Sequence, residues 1–181
     1  MNATRFFMAA VVLASGIGAN QANAQCSSAG ASGSCNTTNT ASVTMNALVK
    51  LDMGSTTTSL TSPTVAQIET GALIADGGPT FTIKANRSWT LNIKTTNASL
   101  WTYAGGLGGT KPISDLAWSN ASAGSYVGIG SSDAVFLSGA TSTNGLAAQA
   151  FFKTVWAAGF TQPSNIPGTY SLPIVFTLSA P

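Results

Sequence analysis

Histidine is absent from this 181-residue chain, and its acids are only five: Asp52, Glu69, Asp76, Asp115 and Asp133. Proton transfer, metal binding and nucleophilic catalysis draw mostly on His, Asp, Glu and Cys. Without His, a Ser-His-Asp arrangement and a His-ligated metal both drop out. The acids are too widely spaced for an Asp-x-Asp calcium loop or a locally paired carboxylate motif. Two glycine-rich stretches imitate nucleotide motifs. Gly105-Gly106-Leu107-Gly108-Gly109-Thr110-Lys111 lacks the Gly-Lys-Ser/Thr ending of a phosphate loop, because Thr110 separates Gly109 from Lys111. Gly128-Ile129-Gly130 continues to Asp133 where a dinucleotide fingerprint needs Gly, and no βαβ pattern surrounds it. The expectation is a non-enzymatic protein with no cofactor and no metal site.

Aromatic side chains are the remaining candidates for contact with a ligand. Trp89 falls on the apolar face of a clean alternating segment and reads as core, as does Trp156. Trp101 and Tyr103 sit beside the glycine-rich stretch, and Trp118 precedes Ser119-Asn120. Rings next to Ser and Asn suit a sugar-binding face, the ring supplying apolar area and its neighbours hydrogen bonds. The competing reading of all three is an ordinary core or rim aromatic.

The N-terminus indicates where the protein is sent. Arg5, the apolar stretch from Phe6 to Gly18 and Ala22-Asn23-Ala24 form a secretory signal over residues 1–24, with cleavage before Gln25. The apolar stretch is shorter than the roughly 20 residues of a spanning helix. An uncleaved anchor is the alternative. No later segment is long and apolar enough to span, so no stable membrane insertion is expected and the mature chain is released. It is expected in the periplasm, at the cell surface or outside the cell. Cys26 and Cys35, the only cysteines, follow the signal; in an oxidising compartment they read as a disulfide, with intermolecular pairing or free thiols as alternatives. After cleavage the basic residues Lys50, Lys84, Arg87, Lys94, Lys111 and Lys153 are scattered along the chain. That disfavours nucleic acid as a partner, since a phosphate footprint clusters its cations.

These side chains need a scaffold, and period-2 alternation predicts one made of strands. Residues 25–41 form a Ser/Gly-rich tail and residues 42–181 the folded domain. Val43, Met45, Ala47 and Val49 alternate over the first predicted strand, which Asp52-Met53-Gly54 closes. Thr64 to Glu69 is a weaker strand candidate, and Asp76-Gly77-Gly78-Pro79 reads as a turn. Phe81, Ile83 and Ala85 alternate, then Trp89, Leu91 and Ile93. A two-residue loop between these two runs would oppose Ile83 to Thr90, so either the loop has an odd length with a bulge or the strands lie in opposite sheets. Short candidates follow at 100–103, 113–118, 126–129 and 134–137. Residues 147–158 fit strand better than helix. Tyr170, Leu172, Ile174, Phe176 and Leu178 share one face of a terminal strand in which Pro173 marks an unpaired or bulged position. Roughly eight short strands predict an all-β, immunoglobulin-like antiparallel β-sandwich.

Phe151-Phe152-Lys153-Thr154-Val155-Trp156, followed by Pro167-Gly168-Thr169-Tyr170 and the terminal strand, resembles the end of spore coat protein U-like domains. Leu51-Asp52-Met53-Gly54 is similar to a stretch that follows their first strand. That resemblance implies a secreted, pilin-like subunit of immunoglobulin-like fold whose partners are other surface or pilus subunits. Trp89-Thr90-Leu91 with the end Tyr170 to Pro181 is similar to Trp-x-Leu wall-binding domains, although Phe176-Thr177-Leu178 stands where those carry a second Trp-x-Leu. In strand-donating assembly an extension supplies alternating apolar residues to a neighbour's groove. The tail 25–41 has no large apolar residue, and both cysteines lie upstream of the first strand where the pilin-like family carries one within it. The expectation is therefore a tip subunit or a self-complete domain. The function expected is a structural or adhesive surface protein; the alternative is a soluble module binding glycans or cell wall through Trp101, Tyr103 and Trp118.

Overall fold

The computed structural model describes residues 26–27, 32 and 34–181; the signal expected over residues 1–24 lies outside them. The chain separates into two compact units, Met1–Thr44 and Met45–Pro181. In the first, Cys26 and Cys35 are joined by a disulfide, with Cα atoms 5.8 Å apart. Residues 34–44 carry no regular structure and are exposed.

The second unit holds ten strands: β1 (Val49–Met53), β2 (Ala72–Ala85), β3 (Trp89–Thr95), β4 (Thr102–Ala104), β5 (Leu116–Ser119), β6 (Val127–Gly128), β7 (Ala134–Gly139), β8 (Thr143–Trp156), β9 (Thr169–Ser171) and β10 (Ile174–Ser179). One short helix, α1 (Val65–Thr70), stands between β1 and β2. A five-stranded sheet runs β1-β2-β8-β5-β6, a three-stranded sheet runs β10-β3-β7, and β4 pairs with β9 alone. Every pairing is antiparallel. The fold is an all-β sandwich.

Its core follows from the alternation. Phe81, Ile83 and Ala85 of β2, Leu91 and Ile93 of β3, and Ala150 and Phe152 of β8 are buried. Aromatic rings join the sheets. Phe81 stands 4.6 Å from Phe176 of β10 and 5.8 Å from Phe136 of β7, and Trp118 of β5 stands 5.6 Å from Phe136. Burying such rings contributes the largest share of apolar stabilisation per residue. The phase conflict at Asn86-Arg87 resolves because β2 and β3 belong to different sheets, so Ile83 and Thr90 never face each other.

Three local expectations are corrected. Asp76 to Pro79 does not turn; the strand runs on, with Gly78 and Pro79 opposite Ala150 as a bulge on β2. Pro79 fits there because the bulge leaves its missing N–H without consequence. Residues 65–70 are helical, since Thr64 and Gln67 form a reciprocal capping box that satisfies two orphan N–H groups. The first strand begins at Val49, not Ser42. Beyond that start, Asn86 fastens the chain: its Oδ1 accepts from Leu48 N and its Nδ2 donates to the Asn46 carbonyl, both at 2.8 Å. The terminal segment is divided at Leu172–Pro173 into β9 and β10, and β10 pairs on one side only.

Candidate functional site: an open seam between the sheets

Both β1 and β10 are edge strands, each paired on one side. Beyond β1 the chain continues as residues 55–62 without regular structure, facing residues 168–176 across a groove of about 720 Å³. Phe152, Leu116, Trp101 and Pro79 also line it. On the terminal segment Tyr170, Leu172, Ile174, Phe176 and Leu178 share the core-facing side, as their spacing predicts, yet each is only half-buried. An unpaired edge over half-covered apolar side chains presents both backbone hydrogen-bonding groups and apolar surface to an extended segment.

One end of the groove is polar. Lys111, which has no solvent-exposed surface, donates from Nζ to Asp115 Oδ2 at 3.2 Å and to the Val155 carbonyl, and its ammonium lies 4.0 Å from the centre of the Trp156 ring. Burial holds its pKa below the ordinary 10.5, while Asp115 pulls the other way by charge and hydrogen bond. With its donors taken up, this lysine fastens the glycine-rich segment ahead of it onto β8. Thr154 Oγ1 and the indole N–H groups of Trp101 and Trp156, all beside the groove, are buried without a partner.

The small β4–β9 sheet closes the same end. Tyr103 opposes Tyr170, ring centres 5.1 Å apart, and their hydroxyls donate to the carbonyls of Pro167 and Ile166. Tyr170 has its pKa raised above 10.0, by burial first and by Tyr103 second. Gly168 presses directly on the Tyr103 ring, which is why a residue without a Cβ occupies that position.

The three aromatics named from the sequence do not form one exposed face. Trp118 is 7% exposed and belongs to the core; Trp101 is equally buried and lines the groove; Tyr103 is spent on Tyr170. From the sequence, Lys111 stood only as the end of a failed phosphate loop and as one of the scattered cations. Its signal was a lone lysine followed four positions later by an acid, Asp115, in a stretch otherwise without charge.

The chain matches no protein-family model and no curated protein.

Proposed function

We propose that this is a secreted structural or adhesive surface protein whose subunits associate by strand addition, the arm of one copy entering the groove of another. The observation that carries the reading is the seam itself: two unpaired edges flanking half-buried apolar side chains. The arm supplies a fitting guest. Ala41, Val43 and Met45 alternate just upstream of the Asn86 clamp, with Val43 94% and Met45 76% exposed. Exposed apolar residues at every second position match the face that an added strand turns inward. Because the first strand starts at Val49, these residues remain outside it and extend the tail that residues 25–41 alone would make too polar. The export signal and the absence of histidine agree with a non-enzymatic surface role.

Val43→Asp and Met45→Asp test this. Both side chains are exposed, so thermal unfolding of the single subunit should not move. Sedimentation velocity at rising concentration should show oligomers of the unaltered mature protein and monomers of each variant. Monomers at all concentrations for the unaltered protein, or oligomers indifferent to both substitutions, would overturn the reading.

A further inference from the structure

Residues 55–62 read Ser-Thr-Thr-Thr-Ser-Leu-Thr-Ser, and every one of them lines the groove. Seven carry hydroxyls and are exposed; the exception, Leu60, is half-buried and packs against the core. The segment is held at its ends. Gly54 N donates to the Thr80 carbonyl at 2.9 Å, and Thr61 donates from N and Oγ1 to the Asp76 carboxylate at 3.2 and 2.6 Å. Between these anchors, among the described residues, its hydrogen bonds are local ones between Ser55 and Thr57. Hydroxyl side chains lose nothing on returning to water, and a segment outside any ladder gives up no backbone pairing when it moves. Its hold on the sandwich is one leucine and one carboxylate.

Resting on the strand-addition reading above, we propose that residues 55–62 are a displaceable strap, with Leu60 as a placeholder that shields the groove until an incoming strand evicts it. Leu60 sits on the floor that an apolar side chain of the guest would cover. Asp76 is the latch that returns the strap. An isolated subunit thereby covers part of its apolar seam, and docking exchanges one leucine for the alternating residues of the arm.

The alternative is a permanent wall that helps to hold the guest, and the two differ in sign. A labelled peptide of residues 37–47 is titrated into the full mature chain carrying Val43→Asp, which silences its own arm. Adding Leu60→Ala should tighten peptide binding about tenfold, the worth of one partly buried leucine no longer competing. Adding Asp76→Asn, which leaves Leu60 in place, should also tighten it. The backbone amide of Thr61, which the Asp76 carboxylate holds, should exchange faster with peptide bound than without. Weaker or unchanged binding in both variants, or a Thr61 amide slowed by the peptide, would overturn the strap and leave strand addition standing. No peptide binding to any of the three proteins would overturn both.

Discussion

Lys111 shows how a single charge is carried by its surroundings. An ammonium with no exposed surface persists because Asp115, a backbone carbonyl and the Trp156 ring replace its water. Removing the carboxylate should therefore cost more than removing the lysine. Asp115→Asn is expected to destabilise the domain by about 2 kcal/mol, below the full cost of breaking an enclosed pair because the carboxylate is partly solvated. Lys111→Met, which fills similar space without charge, should cost less. The pH dependence separates charge from packing. Since the folded pKa of Lys111 is depressed, the unfolded chain binds more protons between that value and 10.5, and stability rises with pH through that window. Urea unfolding between pH 7 and 10 should show this rise, and Lys111→Met should flatten it. Above pH 10 the raised Tyr170 pKa acts oppositely, because the unfolded phenol loses its proton first. A slope that survives in Lys111→Met would assign it to another group.

At the scale of elements, what the sequence made legible was period, and what it hid was partnership. The faces of β2, β3, β8 and β10 follow from alternation, because burial on one side of a sheet imposes it. Alternation also continues through Val43 and Met45, which form no strand, so it placed the first strand too early. Asp76-Gly77-Gly78-Pro79 has turn composition, yet a bulge needs the same residues, and only the facing strand distinguishes the two. The Thr64–Gln67 spacing fits a capping box, a helix-start signal that the strand expectation for Thr64 to Glu69 did not use. The open seam was half legible: Pro173 marked the edge, but which strands flank it depends on sheet order. Gly78 offers a test of the bulge. A Cβ there would stand 2.5 Å from Phe152 Cε2 and 2.9 Å from the Ala150 carbonyl oxygen, while one at Gly77 would meet only Gln149 Nε2, at 3.3 Å. Gly78→Ala should cost about 2 kcal/mol through displacement of the core. Gly77→Ala should stay within about 0.5 kcal/mol. Equal values in chemical denaturation would mean that the strand can relax around the added methyl.

At the scale of the molecule, the division at Thr44–Met45 separates a disulfide-closed tail from a sandwich whose apolar core is its own. A domain of this size buries enough surface to fold without a staple. In the chain-entropy account, a disulfide stabilises a fold mainly by restricting the unfolded form of chain that the folding reaction orders. If the sandwich orders independently of the tail, Cys26–Cys35 closes a loop outside the cooperative unit. Cys26→Ser with Cys35→Ser should then shift unfolding of the sandwich by less than about 0.5 kcal/mol, against roughly 2.5–3 kcal/mol for a loop of this length inside it. Calorimetry of residues 25–181 with the disulfide intact and with both cysteines replaced measures the difference. On the strand-addition proposal the same pair bears on assembly, because it bounds the arm on one side as the Asn86 clamp bounds it on the other. Opening the loop lengthens the free segment ahead of Ala41 without touching Val43 or Met45. Oligomer formation should therefore persist in the double serine variant. Loss of oligomers with an unchanged melting transition would instead place the disulfide loop in the contact between subunits.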